Sequence, residues 1–228
     1  MEQGHFLSAG AIGHPRLTRE ALVRALDSGR GGERRSDILT ARRLAAEAGT
    51  SLDMVGQPAA LTAAAVLVPL VARDEGLTVL LTQRTAHLLH HGGQISFPGG
   101  RVEVEDPDPE SAALRETEEE IGLPREKIDV IGRLDDYVTV TGFHIVPVVG
   151  LLHPPLEFNP DSFEVAEIFE VPLSFVMDPA NHERHSRLLP SGEKRWFYVL
   201  PFEERYIWGA TAGMLVNLYE VLSELWKP

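Results

Sequence analysis

Residues 99–123 contain the feature that most constrains this chain, a Gly-Gly pair followed by an acidic helix pattern. Glu116, Glu119 and Glu120 are spaced i, i+3 and i+4. On an α-helix this spacing places three carboxylates on one face, within one turn of each other. Hard divalent cations such as Mg²⁺ prefer oxygen ligands and often share their coordination with substrate phosphates. The pattern therefore predicts a metal site for phosphate chemistry.

The ends of this helix follow from its capping residues. Asp108 is a candidate N-cap, and Pro109 suits the first helical position. Gly122, followed by Pro124, predicts the C-terminus. The glutamates then lie in the last turn, where they repel one another and where the helix dipole favours cations. A solvated acidic helix end is the alternative, but the preceding Gly-Gly loop and the Arg-Glu pair favour a bound cation.

The stretch resembles the Nudix hydrolase signature, G-x5-E-x7-R-E-U-x-E-E-x-G-U, in which U is bulky and apolar. The residues that match its fixed positions are Arg115, Glu116, Glu119, Glu120, Gly122 and Leu123. Thr117 occupies an apolar position, and Pro107 fills the upstream Glu position, between Asp106 and Asp108. The resemblance implies an α/β/α sandwich with a mixed β-sheet and a metal-dependent hydrolase of diphosphate linkages.

A second motif precedes the helix, in residues 80–84 (LLTQR) and 93–100 (GQISFPGG). It is similar to the coenzyme A pyrophosphatase branch of Nudix, with its L-L-T-x-R-[SA]-x3-R-x3-G-x3-F-P-G-G pattern. Thr85 replaces the small residue of that pattern, and Leu89 stands where the branch has a second arginine. Further segments that look like this branch are residues 138–142, 147–150 and 208–212.

The acidic residues suit the tasks that diphosphate hydrolysis requires, namely charge neutralisation, an aligned water and a base. Glu116 and Glu120 lie one helical turn apart and are the predicted main metal ligands. Glu119 is either a further ligand or the base, and the spacing leaves both roles open. Arg115 precedes Glu116 and is predicted to orient the carboxylates, with a surface salt bridge as the alternative.

Several residues outside the helix are candidates for substrate or metal binding. Gly99 and Gly100 let the backbone approach a ligand closely, and the resemblance implies that a carbonyl, assigned here to Gly100, completes the metal shell. The resemblance also places Arg84 near the substrate phosphates. Phe97 is predicted to lie in the core or, alternatively, to stack on the substrate. Since Nudix enzymes often take a further acid from the downstream region, Glu164 is a candidate metal ligand or base.

The composition excludes several other classes of function. Of 228 residues, 21 are Lys or Arg and 34 are Asp or Glu, which gives a formal net charge of −13. General nucleic-acid or anionic-membrane binding needs a basic surface, so neither partner is expected. The chain has no cysteine, which excludes disulfides, Cys-ligated zinc and a thiol nucleophile. No apolar run is long enough to span a bilayer and no signal-peptide pattern is present, so a cytoplasmic protein is expected.

The first 60 residues are predicted to form a helical N-terminal extension. Helical patterns occupy residues 18–27 and 37–48, with Thr18 and Asp37 as candidate N-caps. A Gly- and Arg-rich loop is predicted between them. The extension could cover the site, mediate assembly or support the sheet, and its sequence does not distinguish these roles.

Residues 61–228 are predicted to form the Nudix hydrolase domain, of class α/β. A hairpin turn is predicted at residues 74–76, and an amphipathic helix at residues 210–225. The strand patterns lie at residues 63–73, 77–84, 94–97, 127–134, 145–152, 167–171 and 194–200. Strands interleaved with a few helices are typical of a mixed sheet between helical layers.

The histidine cluster and Trp208 are not predicted to form a metal site or to take part in catalysis. His87, His90 and His91 cluster, but no partner spacing completes a tetrahedral zinc set. Surface positions are expected, with loop positions near the substrate phosphates as the alternative. Trp208 is predicted to pack in the core against the final helix.

The leading functional hypothesis is a Mg²⁺- or Mn²⁺-dependent pyrophosphatase that splits coenzyme A or its thioesters into 3′,5′-ADP and a 4′-phosphopantetheine moiety. A second hypothesis is hydrolysis of another nucleoside diphosphate derivative, such as ADP-ribose or a dinucleotide, and Leu89 favours it. A third is a non-catalytic, nucleotide-binding Nudix-like domain, which three mutually repelling acids disfavour. The resemblance also makes a homodimer plausible.

Overall fold

Five α-helices and twelve β-strands occupy the residues that a computed structural model describes, which are 17–29, 35–50, 60–88, 91–190 and 192–226. The helices are α1 (Arg19–Gly29), α2 (Asp37–Glu47), α3 (Pro109–Ile121), α4 (Leu173–Val176) and α5 (Gly209–Trp226). The strands are β1 (Arg35–Ser36), β2 (Thr62–Arg73), β3 (Gly76–Arg84), β4 (Ile95–Ser96), β5 (Gly99–Arg101), β6 (Ile128–Arg133), β7 (Tyr137–Val138), β8 (Phe143–Leu152), β9 (Val165–Pro172), β10 (Glu183–Leu188), β11 (Lys194–Phe202) and β12 (Arg205–Trp208). The seven predicted strands and the predicted final helix are confirmed, with bounds shifted by a few residues.

Strand β2 lies near the middle of a nine-stranded mixed sheet whose main order is β1-β7-β8-β2-β3-β4. It runs parallel to β8 and antiparallel to β3, to which the predicted tight turn at Asp74 and Glu75 joins it. Strand β5 pairs with β2, β6 with β8, and β9 with β3. The remaining strands form a separate antiparallel sheet in the order β10-β11-β12.

Side chains of β2 alternate between two hydrophobic cores, one on each face of the large sheet. Ala65, Leu67 and Val71 pack in the core that includes α3. Val68 and Leu70 point to the opposite face and pack in the core formed with α1 and α5. This alternation follows from the two-residue period of a strand. The predicted α/β/α sandwich with a mixed sheet is therefore confirmed.

The described part of the predicted N-terminal extension packs directly on the sheet. Leu22 and Leu26 of α1 are buried in the same core as Leu218 and Leu222 of α5. Strand β1 pairs in parallel with β7 and so adds an edge to the large sheet. These residues therefore support the sheet, one of the three roles left open, while the domain boundary at residue 60 stays a prediction.

One of the two N-caps predicted for this region is wrong. Thr18 accepts a hydrogen bond from the Ala21 N–H through its hydroxyl at 3.2 Å, as a cap does. At the second helix, however, Ser36 caps α2 by accepting from the Leu39 N–H at 3.0 Å. Asp37 is the first helical residue, and its carboxylate accepts the backbone N–H of Val140 instead. Serine and aspartate are both favourable N-cap residues. The hydrogen bond that Asp37 accepts from Val140, which is distant in sequence, decides that Ser36 is the cap.

The small sheet contains two strands that the sequence did not predict, β10 and β12. Strand β10 (ERHSRL) is polar and largely exposed, so it lacks the alternating apolar pattern that marks a half-buried strand. Strand β12 is four residues long. Both strands form because β11, which was predicted, supplies hydrogen-bonding edges on its two sides. No helix in the described ranges is long and apolar enough to cross a membrane.

We expect Leu26→Ala to lower the free energy of unfolding by about 2–5 kcal/mol, because it removes a buried side chain from the core shared by α1 and α5. Urea unfolding monitored by circular dichroism measures this change. Leu39→Ala, on an α2 side chain that is 49% exposed, is the matched control and should change the value by less than about 0.5 kcal/mol. If Leu26→Ala changed the free energy of unfolding as little as Leu39→Ala, α1 would not contribute to the domain core.

Candidate active site

Helix α3 begins and ends where its capping residues predict. Asp108 accepts the Ser111 N–H at 2.7 Å through its carboxylate, and Pro109 follows at the first helical position. Gly122 has a left-handed φ of 67° and donates its N–H to Glu118 O at 3.0 Å. The helix therefore presents the acidic turn at its C-terminal end, next to strand β5.

The backbone at Gly100 lies directly against the carboxylate of Glu116. Strand β5 pairs with β2, opposite Ala65 at this point, which holds Gly100 in place. A Cβ atom at Gly100 would lie 2.5 Å from both carboxylate oxygens of Glu116. Only glycine therefore leaves room for the carboxylate. Burial is the main cause of a raised pKa for Glu116, and the Arg115 guanidinium opposes it.

Glu120 is the most buried carboxylate of the acidic turn, with 5% of its surface exposed. One oxygen accepts the Gly99 N–H at 3.1 Å, and the other accepts Arg84 Nη1 at 3.1 Å. Burial raises the pKa of Glu120 to about 7, with Glu164 and Glu116 adding to the rise, although the Gly99 N–H and Arg84 oppose it. A bound cation would offset the cost of burying this charge.

Arg84 brings the downstream acid Glu164 to this site. Its Nη2 donates to Glu164 Oε2 at 3.1 Å while its Nη1 contacts Glu120. The position follows from strand pairing, because Arg84 at the end of β3 pairs with Val165 at the start of β9. The structure therefore brings together three residues that are far apart in sequence and that the sequence predicted for one site.

Arg115 is held by several protein groups at once. It makes two hydrogen bonds to Asp106, from Nε at 3.1 Å and from Nη2 at 3.0 Å. Its Nη1 donates to Glu116 Oε1 and to Glu119 Oε2, both at 3.0 Å. The pKa of Arg115 is raised, chiefly by Asp106. Because its donors are already used, this guanidinium is suited to hold the carboxylates in place.

Glu119 is exposed to solvent over 59% of its side chain and has Arg115 as its ion-pair partner. Within the described ranges, no three or more acidic or histidine side chains are close enough together to hold a metal ion. Arg84 contacts two of the carboxylates, those of Glu120 and Glu164, and Arg115 contacts Glu116 and Glu119. The donor chemistry nevertheless fits a hard cation, since Glu116 and Glu120 both contact the Gly99-Gly100 pair and supply the oxygen ligands that Mg²⁺ prefers.

The family of the chain follows from a comparison with known domains. The NUDIX domain model matches residues 61–191, more than half of the chain. The chain belongs to the Nudix family. It is therefore a Nudix pyrophosphatase, and enzymes of this family generally need divalent metal ions.

Relatives of this Nudix hydrolase share most of its domain. Proteins named "Uncharacterized Nudix hydrolase NudL" from Citrobacter koseri and Escherichia coli K12 are 41% and 39% identical to it over 156 residues. Both matches cover 68% of this chain and 80% of the relative. A solved structure, the Nudix hydrolase RenU from M. smegmatis, is 29% identical and covers 50% of this chain and 71% of its own, with a TM-score of 0.43.

The structure accounts for the departures of this Nudix hydrolase from the family signature. Thr117, at an apolar position, is fully buried and donates its hydroxyl to Ala113 O at 2.7 Å, so no hydrogen bond is lost. Of the two aspartates beside Pro107, Asp108 caps α3 and Asp106 holds Arg115. Asp106 is a residue of the site whose role the sequence did not decide.

A cavity of about 450 Å³ adjoins the carboxylates and includes Arg84, Gly99 and Gly100 in its lining. Phe97 also borders it, but its side chain is 2% exposed and packs in the core, as the first of its two interpretations stated. Trp208 was predicted to be a core residue. It is half-buried, packs edge to face on Phe197 with ring centroids 5.6 Å apart, and lines the cavity.

The two described histidines of the predicted cluster, His87 and His91, contact different partners. His87 packs against the ring of Phe163 at 4.8 Å, and His91 Nδ1 lies 2.9 Å from Gln94 Oε1. His90 and Leu89 lie outside the described residues.

We expect Asp106→Asn to lower kcat by roughly 10–100-fold with little change in KM, because Asp106 holds the arginine that positions Glu116. Steady-state kinetics with a diphosphate substrate measures both parameters. Asp108→Asn is the matched control, since asparagine also caps helices and α3 should persist with full activity. An unchanged kcat in Asp106→Asn would show that Arg115 positions the carboxylates without Asp106.

Proposed function

We propose that this Nudix hydrolase cleaves the diphosphate linkage of coenzyme A or its thioesters, with Mg²⁺ or Mn²⁺, to 3′,5′-ADP and (acyl-)4′-phosphopantetheine. The observation that carries the proposal is the position of the two segments that resemble the coenzyme A pyrophosphatase branch. Arg84 from the first segment and the Gly99 N–H from the second both contact the carboxylate of Glu120. The adjoining cavity has room for part of a nucleotide substrate.

We infer the roles of the residues from their contacts. Glu116, Glu120 and the carbonyl of Gly100 would hold the metal, with Arg115 keeping Glu116 in place. When bound, the metal neutralises phosphate charge and activates water. Arg84 neutralises Glu120 and Glu164 without a metal. With a cation bound at Glu116 and Glu120, Arg84 would be free to contact the substrate phosphates.

The reaction is a direct transfer of one phosphoryl group to water. The water oxygen forms a bond to one phosphorus as the bond from that phosphorus to the bridging oxygen breaks, and the other phosphate leaves with the bridging oxygen. Glu164 or Glu119 takes the proton of the water. Glu164 is favoured because Arg84 holds it beside Glu120, whereas Glu119 points to solvent. No covalent enzyme intermediate is required.

The alternative substrate class is another nucleoside diphosphate derivative, such as ADP-ribose or a dinucleotide. The observation in its favour is Leu89, where the coenzyme A branch has an arginine.

The test is incubation of the purified protein with coenzyme A and Mg²⁺ or Mn²⁺, beside Glu120→Gln, with chromatographic separation of the products. Release of 3′,5′-ADP by the native protein alone supports the proposal. Hydrolysis of ADP-ribose or a dinucleotide, but not of coenzyme A, supports the alternative. Binding of nucleotides without hydrolysis of any diphosphate would contradict both and point to a binding domain.

A further inference from the structure

The cavity beside the carboxylates has a basic wall, although the protein carries a formal net charge of −13. The Asp, Glu, Lys and Arg residues that line it are Asp37, Arg84, Arg101, Arg187 and Arg195. Among the described residues of the lining, four positive charges thus face one negative charge. Arg84 is neutralised by Glu120 and Glu164, whereas the other three arginines do not contact the acidic turn through their side chains. The cavity lining therefore offers positive charge that the acidic turn does not neutralise.

Two of these arginines lie directly opposite each other on neighbouring strands. Arg187 of β10 and Arg195 of β11 are register partners in the antiparallel sheet. Directly opposed residues project from the same face, and like charges in this arrangement are destabilising. Both residues also line the cavity. A bound anion would remove the repulsion and use both side chains.

In the part of the chain that the structure describes, one arginine of the pair has an acidic partner and the other has none. Arg195 Nη2 lies 3.4 Å from a carboxylate oxygen of Asp37. Asp37 also accepts the Val140 N–H and the Tyr137 hydroxyl, both at 2.9 Å, so its oxygens are already engaged. Arg187 is exposed and has no ion-pair partner among the described residues. The Arg187 guanidinium is therefore available to a ligand at the cavity wall, and it lies beside Arg195, which Asp37 holds in place.

We propose that Arg187 and Arg195 bind a phosphomonoester of the substrate that is separate from the scissile diphosphate. Guanidinium groups bind phosphate oxygens through paired hydrogen bonds, and two together match a dianion. In coenzyme A, that group is the 3′-phosphate. The inference rests on the proposed function and makes the β10–β11 hairpin a determinant of specificity. The arginine pair also supplies positive charge to a chain that has Leu89 where the coenzyme A branch has a second arginine.

The kinetic test compares coenzyme A with 3′-dephospho-coenzyme A, using Arg187→Gln. The variant should raise KM for coenzyme A by roughly 10-fold or more, with kcat unchanged, because it removes charge-assisted hydrogen bonds to phosphate. Its KM for 3′-dephospho-coenzyme A should stay that of the native protein. An equal change for the two substrates, or no change for either, would overturn the proposal.

Arg184→Gln is the matched control. Arg184 lies on the same strand three residues away, does not line the cavity and pairs with Glu47 at 2.7 Å. The substitution makes the same change of charge on the same hairpin. It should leave the preference for coenzyme A intact, and a loss of preference in this variant would indicate a general electrostatic effect in place of a phosphate subsite.

A binding measurement separates this inference from the proposed reaction. Calorimetric titration in EDTA should show that 3′,5′-ADP binds at least about 10-fold more tightly than 5′-AMP, and that Arg187→Gln removes the difference. If this preference is found but coenzyme A is not hydrolysed, the subsite stands and the proposed reaction fails. If coenzyme A is hydrolysed but the two nucleotides bind equally, or neither binds, the subsite is refuted.

Discussion

Glu120→Gln should abolish hydrolysis and, at the same time, raise the free energy of unfolding of the metal-free protein. Activity should fall by at least about 100-fold, because substitutions in groups that merely support metal ligands already cost 10–100-fold. The gain in stability follows from burial, which raises the pKa of Glu120 to about 7 in the folded protein. The ionised carboxylate therefore costs roughly 3 kcal/mol, and the neutral amide avoids that cost.

The raised pKa of Glu120 also predicts how the stability of the native protein depends on pH. Because the pKa of Glu120 is higher in the folded than in the unfolded state, the folded state retains the proton longer, and stability falls as pH rises from about 4.5 to about 7. Glu120→Gln has no ionisable group at this position. Its free energy of unfolding should exceed that of the native protein most above pH 7 and only slightly near pH 4.5. Urea unfolding in EDTA at several pH values measures this difference.

Glu118→Gln provides the control for Glu120→Gln. Glu118 lies in the same helical turn, but it is partly exposed and pairs with Arg125 at the surface at 3.2 Å. Its substitution should leave activity unchanged and alter the free energy of unfolding by less than about 1 kcal/mol. A Glu120→Gln protein that is less stable than the native one at pH 8 would show that the contacts with Arg84 and Gly99 outweigh burial.

Gly100→Ala should remove activity while leaving the fold intact. The added Cβ would lie 2.5 Å from both oxygens of the Glu116 carboxylate, so the carboxylate must move. Gly100 does not have a positive φ, and the atoms to be displaced are at the end of a flexible side chain, so the cost in stability should be small. We expect kcat/KM to fall by at least about 100-fold and Mn²⁺ affinity to fall with it.

Gly99→Ala provides a contrast with Gly100→Ala, because Gly99 is required for its backbone conformation and its close contact with strand β2. Its φ is +150°, and an added Cβ would lie 2.6 Å from Val66 Cα and against the carbonyl oxygen of Ala65. These are backbone atoms of a central strand and cannot move cheaply. Gly99→Ala should lower the free energy of unfolding by about 1–3 kcal/mol or more.

Calorimetric Mn²⁺ titration and thermal unfolding, applied to both glycine variants, distinguish the two effects. Gly100→Ala should lose metal affinity and keep its melting temperature, and Gly99→Ala should lose thermal stability. A Gly100→Ala protein with native Mn²⁺ affinity and activity would contradict the assignment of Glu116 as a metal ligand.

Sequence patterns predicted the elements whose local chemistry is unambiguous. Helix α3 was predictable because Asp108 and Gly122 satisfy backbone groups at its two ends without help from the rest of the fold. Strand β2 was predictable because a strand buried on both faces is apolar along its length. Strand β10 was not, since its polar residues carry no alternating apolar pattern and its strand conformation depends on pairing with β11.

The sequence by itself determined the α/β class, the Nudix signature and the spacing that places Glu116, Glu119 and Glu120 on one turn, because a helical period needs only local information. The tertiary structure alone decided that Glu120 is buried against Gly99 while Glu119 faces solvent, and that Arg84 joins Glu120 to Glu164. It also decided that Asp106 holds Arg115 and that Arg187 faces Arg195. These contacts join residues from different elements, so they depend on how strands pair and helices pack, which a local pattern does not encode.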